Sequence, residues 1–210
     1  MPKEDAARPE FWEKRFRESF TPWDAGGVPA ALGQFLKTEQ RGQRVLIPGS
    51  GSSYEVRAFA EVGFEVLAID FAPAAVERAR RILGPLAELV RIEDFFEFDP
   101  RGPFDLVYER AFLCALPRRL WASYAPRLAE LLRPGGRLAG FFFFDDPERG
   151  PPFGLRAGEL ETALGGRFDR VVDAAVSDSI PIFSGKERWQ VWTLKETRSR
   201  PARRPTAARG

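Results

Sequence analysis

Three places in the chain hold residue types that suit recognition of a nucleoside. Pro48-Gly49-Ser50-Gly51-Ser52-Ser53 follows a short aliphatic run, and glycines after a strand let backbone approach a ligand closely. Asp70 stands 19 residues beyond Gly51, just before Phe71, at the end of a second such run. A carboxylate there accepts hydrogen bonds from both hydroxyls of a ribose; it equally suits the cap of the next helix. Glu93-Asp94-Phe95 follows a third run. An Asp side chain, a backbone amide and a flanking ring suit the edge of an adenine, and taken alone the segment also reads as a solvated turn.

Other chemistries are narrowed by what the chain lacks. It has no histidine, so Ser-His or Cys-His nucleophile pairs and histidine-ligated metals cannot operate, and no metal site is expected. Its one cysteine, Cys114, allows neither an intramolecular disulfide nor a cysteine-based zinc cluster. A dinucleotide fingerprint needs a third glycine where Tyr54 stands, and no Gly-Lys-Ser or Gly-Lys-Thr offers a phosphate loop. A nucleoside without a pyrophosphate remains compatible.

The elements that must position these residues alternate in type. Arg44–Ile47, Phe64–Asp70, Leu89–Ile92, Phe104–Tyr108 and Arg137–Phe144 read as strands, with helical patterns between them. Ser52 and Glu55 have the spacing of a capping box, and Val56, Phe59 and Ala60 give the helix after it one apolar face before Gly63 stops it. Pro73 opens a helix with Val76, Ala79 and Ile82 on one side, and Leu120, Tyr124, Leu128 and Leu131 mark another that ends at Arg133-Pro134-Gly135-Gly136. Four consecutive phenylalanines, 141 to 144, suit a strand buried on both faces. Gly158–Leu164 reads as a helix, and Phe168–Val176 and Arg188–Leu194 as two more strands that hold Trp189 and Trp192 as sheet residues. The expectation is an α/β, Rossmann-like, seven-stranded, mostly parallel sheet with helices on both faces. Ahead of it, Phe11, Trp12, Phe16 and Phe20 suggest an amphipathic helix, Thr21-Pro22-Trp23-Asp24 a loop, and Ala30–Leu36 a second helix. Residues 1–40 are therefore expected as a helical lid of the same domain, 41–195 as the main body, and 196–210 as a disordered basic tail.

The tail accounts for the charge balance. Residues 197–210 hold five arginines and no acid, which carry +5 against a total of +2 and so leave the rest of the chain at −3. The bulk of the protein thus has no basic character calling for nucleic acid, although the tail alone suits non-specific contact with a polyanion. No apolar run reaches the ~20 residues of a membrane span, and the polar start lacks the order of a signal peptide. A cytoplasmic monomer acting on a small molecule is expected, without nucleic acid or membrane as partner.

Four segments together resemble the thiopurine S-methyltransferase superfamily, which includes the thiol and halide methyltransferases. They are Trp12 with Thr21-Pro22-Trp23-Asp24; Ile47-Pro48-Gly49-Ser50-Gly51; Phe104 through Leu113; and Asp146-Pro147 followed by Gly150-Pro151-Pro152-Phe153. The resemblance implies an S-adenosylmethionine-dependent methyltransferase with S-adenosylhomocysteine as product. It implies that Trp12, Phe16 and Trp23 cover the sulfonium, that Gly49, Ser50 and Gly51 face the methionine part, and that Asp70 with Phe71 holds the ribose. Asp94 with Phe95 would hold the adenine, and Arg110 would lie beside cofactor and substrate. Trp23, Phe112 and Pro152 would line the acceptor pocket, with Trp23 and Arg110 serving catalysis. The acceptor is expected to be a thiol or a thiopurine-like compound; a halide, another small molecule, or cofactor binding without turnover are the alternatives. Trp12 and Phe16, four residues apart, also suit a plain packing pair, and Arg110 an ion pair with Glu109 or Asp145. Methyl transfer from a sulfonium expels a neutral leaving group, so alignment can do the work that imidazole does elsewhere.

Overall fold

The computed structural model describes residues 5–145 and 150–196. The Asp146-Pro147 part of the fourth segment and the basic residues 197–210 lie outside the described residues. Seven strands form one sheet: β1 Arg44–Pro48, β2 Glu65–Asp70, β3 Val90–Ile92, β4 Phe104–Arg110, β5 Leu132–Phe143, β6 Phe168–Ala175 and β7 Glu187–Leu194. Their order is β3-β2-β1-β4-β5-β7-β6. All neighbouring pairs are parallel except those of β7, which runs antiparallel to both β5 and β6. The helices are α1 Pro9–Arg17, α2 Ala30–Leu36, α3 Tyr54–Val62, α4 Pro73–Leu83, α5 Trp121–Leu131 and α6 Glu159–Leu164. Among the described residues no helix is long and apolar enough to cross a membrane.

Strand alternation sends neighbouring residues to opposite faces, and here both faces are buried. Leu46, Val107, Leu138, Phe142 and Trp192 pack with α5 and α6, while Val45, Ile47, Tyr108, Phe141 and Trp189 pack with α2, α3 and α4. The phenylalanine run is split between faces by this rule, and Phe143 joins a separate small cluster with Cys114 and Phe183. Because β2 lies on one side of β1 and β4 on the other, the chain reverses its direction of travel across the sheet between β1 and β4. In open α/β sheets such a reversal leaves a crevice outside the carboxyl ends of the strands.

Some sequence expectations change in detail. The capping box does not form: Ser53, at φ 59° in the left-handed region, is the residue preceding α3 and makes no side-chain cap. Ser52 Oγ instead donates to Asp24, a residue distant in sequence, and Glu55 Oε1 accepts from Tyr108. Ile82 is 36% exposed, and Leu83 occupies the buried side of α4 in its place. Phe20 lies beyond the end of α1 and is 60% exposed. Strand β5 starts at Leu132, because the pairing with β4 resumes across an irregularity that takes up the Arg133-Pro134-Gly135-Gly136 segment.

The end of β4 is braced from below by a buried acid. Glu109 Oε2 accepts the Phe112 amide at 2.9 Å and the Leu113 amide at 3.4 Å, and Oε1 accepts the Tyr124 hydroxyl at 3.4 Å. Across from it in β5, Gly140 leaves room for this residue: a Cβ there would sit 2.4 Å from the Glu109 carbonyl oxygen. Gly140→Ala is therefore expected to cost about 1–3 kcal/mol of stability through overpacking, read from urea unfolding; an unchanged midpoint would contradict the close approach.

Desolvation raises the Glu109 carboxyl to about 7 from its ordinary 4.5, against the lowering effect of its amide and phenol donors. The folded protein then holds a proton that the unfolded chain has released, so stability falls as pH rises from about 4.5 to about 7. Asp70, raised to about 6 mainly by burial, acts with the same sign. Asp105 and Asp173, held low, lose their contribution only as pH falls below the ordinary carboxylate range. The urea midpoint is expected to decline between about pH 5 and pH 7, and Glu109→Gln to flatten that decline. An equally steep slope in the variant would show that the proton sits elsewhere.

Candidate functional site

A cavity of about 340 Å³ opens at the carboxyl ends of β1, β2, β3 and β4, where the sheet reverses. Its floor is the turn after β1. Gly49 and Gly51 both have positive φ, 56° and 51°. A side chain at Gly49 would strike Phe112, since a Cβ there would lie 2.4 Å from the ring. Glycine is thus required at that position by both conformation and space. Ser50 is drawn into the same turn by the Ser53 hydroxyl, which donates to Ser50 Oγ at 2.9 Å.

Asp70 ends β2 and faces the turn. Its Oδ2 accepts the Gly51 amide at 3.1 Å and its Oδ1 accepts the Ala72 amide at 3.0 Å, just before α4. One oxygen thus organises the entry to α4, and the residue also lines the cavity beside Ile69 and Phe71. Each carboxylate oxygen has two acceptor directions, so two amide bonds leave capacity for a ligand. Beyond β3, Asp94 Oδ1 accepts the Phe96 amide at 2.8 Å, and the buried Phe95 ring meets Phe112 edge-on at 5.0 Å.

The wall above β4 is built by a strained turn. Ala111 has φ 59°, a conformation that costs a non-glycine residue about 1–2 kcal/mol. The two amides accepted by Glu109 hold the chain in this path and turn Phe112 over Gly49. Arg110, immediately before the turn, has its side chain only 8% exposed. It pairs with neither Glu109 nor Asp145. Glu109 is committed to the turn, and Asp145 accepts from Lys186. Its nearest acid is Glu187 on β7, with Nε 3.7 Å from Oε1, too long for a hydrogen bond, and its guanidinium carbon lies 5.0 Å from the centre of the Phe141 ring. Nε and Nη2 are buried and make no hydrogen bond. Leaving such groups unpaired is costly, which sets Arg110 apart from an ordinary structural arginine.

The N-terminal segment closes the remaining side. Glu13 of α1 accepts the Ala74 amide at the start of α4 at 2.7 Å, a carboxylate placed where a helix dipole favours it. Asp24 Oδ2 accepts Ser52 Oγ at 2.5 Å and Arg78 Nη2 at 2.9 Å, so one carboxylate joins the loop to both the glycine turn and α4. Trp23 is thereby held between Trp12 and Phe16, with edge-on ring contacts at 5.3 and 6.0 Å. Trp12 and Phe16 pack with Trp23 and also line the cavity.

The candidate site residues read from the sequence all line this one cavity: Trp12, Phe16, Trp23, Gly49, Ser50, Gly51, Asp70, Phe71, Asp94, Phe95, Arg110, Phe112 and Pro152. The sequence reading missed Glu55, Cys114, Ile182 and Phe183, which line it too. Ile182 and Phe183 belong to the loop between β6 and β7, tied back through Ser179 Oγ to Glu187 at 2.7 Å and through Asp178 to the Ala30 amide at 2.7 Å. No local signal marks these residues, because only the antiparallel return of β7 carries that loop to the cavity.

Comparison with known proteins agrees with this geometry. The family model described as thiopurine S-methyltransferase matches residues 7–200. The chain is 33% identical over 159 residues to probable thiol methyltransferase 2 of Arabidopsis thaliana, covering 73% of this chain and 70% of that one. It is 30% identical over 188 residues to thiocyanate methyltransferase 1 of the same plant, covering 86% and 83%. It is 28% identical over 211 residues to thiopurine S-methyltransferase of Aliivibrio salmonicida, covering 89% and 98%. Among solved structures, magnesium protoporphyrin IX methyltransferase from Synechocystis with bound SAM superimposes with a TM-score of 0.72 at 16% identity, over 93% of this chain and 100% of that one. That likeness concerns the fold, which is the seven-stranded sheet expected from the sequence. The chain belongs to the thiopurine S-methyltransferase family of S-adenosylmethionine-dependent methyltransferases.

Proposed function

We propose that this protein methylates sulfur in a small molecule, a thiol or a thiopurine-like acceptor, as a cytoplasmic monomer that requires no nucleic acid. The observation that carries the reading is Arg110: a buried guanidinium with two nitrogens lacking hydrogen bonds, on the wall of the cavity that Asp70 also lines. The cavity is fitted to the donor by a buried carboxylate at the tip of β2, a glycine turn with no room for a side chain at Gly49, and walls rich in aromatic rings. When bound, S-adenosylmethionine supplies an activated methyl group. Asp70 holds the ribose, Phe71 flanks it, and Asp94 with Phe95 receives the adenine. Gly49, Ser50 and Gly51 accommodate the methionine part.

The chain's own contribution is alignment, charge and exclusion of water. Trp12, Phe16 and Trp23 form a lid whose ring faces favour a cationic sulfonium by ~0.5–2 kcal/mol. Asp24 keeps that lid seated through Ser52 and Arg78. Trp23, Phe112 and Pro152 border the acceptor. A thiol is only partly ionised near neutral pH, and the Arg110 guanidinium favours its thiolate, the form that attacks. This is why a site without histidine suffices. The support for a sulfur acceptor is the chemistry of Arg110 together with membership of the family.

Two measurements test the assignment. Asp70→Ala is expected to weaken S-adenosylmethionine binding roughly tenfold or more in calorimetry, the loss that follows from removing a charged hydrogen-bond acceptor. Unchanged affinity would remove Asp70 from the ribose. Arg110→Ala is expected to lower kcat/KM for a thiol roughly tenfold and to move the acidic limb of its pH profile upward, while donor affinity largely persists. Equal loss of rate and donor affinity would make Arg110 a donor-binding residue instead.

A further inference from the structure

Glu55 is a carboxylate of the cavity wall that makes no ion pair among the described residues. It stands in the first turn of α3, directly after the glycine turn. Its hydrogen-bond donors are neutral, the Tyr108 hydroxyl at 3.4 Å and its own backbone amide. Among the described residues no lysine or arginine forms an ion pair with it. Burial pushes its carboxyl upward; Arg110 draws it down from a distance and Asp24 raises it again. Of the other acids around the cavity, Glu93 is exposed to solvent and Asp94 accepts the Phe96 amide. Asp24 has Ser52 and Arg78, and Asp70 has two amides.

The order of strands says which part of a ligand reaches Glu55. Asp70 and Asp94 follow β2 and β3, toward one edge of the sheet, so a nucleoside held by them extends its substituent across β1 toward β4. The wall on that side consists of the glycine turn, the first turn of α3 and Arg110. An anionic acceptor would be repelled by Glu55, whereas a primary ammonium brings a full charge and three donors.

We infer that Glu55 receives the primary ammonium at the amino-acid end of the methyl donor, an assignment that rests on the donor-binding reading above. The neutral donors keep the carboxylate oriented without cancelling its charge, so a zwitterionic tail is distinguished from one lacking the amine.

The test is a cycle between protein and ligand, read by calorimetry without turnover. Wild type and Glu55→Gln are each titrated with S-adenosylhomocysteine and with its deaminated analogue, in which hydrogen replaces the ammonium. The glutamine keeps an oxygen for Tyr108 and removes the charge. Loss of the ammonium is expected to weaken wild-type binding roughly tenfold or more and to leave the variant's affinity nearly unchanged. A wild type indifferent to the ammonium overturns the assignment, and that result needs no variant at all. A variant that still prefers the aminated ligand tenfold overturns it too, by placing the ammonium elsewhere. Glu55→Asp, which retains the charge, is expected to keep part of the preference; its complete loss there would equally count against the assignment. Failure of the wild type to bind S-adenosylhomocysteine would instead strike the donor-binding reading itself.

Discussion

The structure around the cavity depends on how Asp70 is held. Its two oxygens bind the Gly51 and Ala72 amides, so a single buried carboxylate at the tip of β2 fixes both the turn after β1 and the path into α4. Burial opposes its ionisation and the amides favour it, and the carboxyl settles at about 6. Further donors, such as sugar hydroxyls, would add to the amides and favour the charged form still more. The same group thus shapes the turn that would contact one part of a ligand and offers an acceptor to another.

A second acid acts in parallel two strands away in the sheet, on β4. Glu109 is not aimed at the cavity; it braces the turn that follows, where Ala111 is strained and Phe112 is pressed over Gly49. The glycine, the ring and the acid are consequently interdependent. A side chain at position 49 has no room while Phe112 is in place, and the two amides that bring Phe112 there are both accepted by Glu109. Arg110 emerges from this braced strand end with its guanidinium buried, Glu187 as its ion-pair neighbour, and two nitrogens without a hydrogen bond.

The N-terminal segment is attached by charge as much as by packing. Glu13 reaches the start of α4, and Asp24 links the loop to Ser52 and Arg78. These contacts, with the edge-on packing of Trp12, Trp23 and Phe16 against Ala72, Ala74 and Ala75, seat aromatic surface beside the cavity.

Periodicity and punctuation were enough to read the sheet from the amino-acid sequence. Alternating runs, Gly63 after α3, Pro73 opening α4 and the phenylalanine run of β5 are local signals, and local sterics and burial dictate them. The glycine turn and Asp70 were legible for the same reason, since their spacing follows from one strand–helix–strand unit. What the tertiary structure alone decided depends on segments far apart in the chain. The partner of Ser52 is Asp24 rather than the amide expected of a capping box, because the N-terminal loop folds back onto the turn. The neighbour of Arg110 is Glu187, 77 positions away and brought near by an antiparallel strand. That Glu55 forms no ion pair among the described residues is a property of everything packed around it, and no spacing within a sequence encodes it.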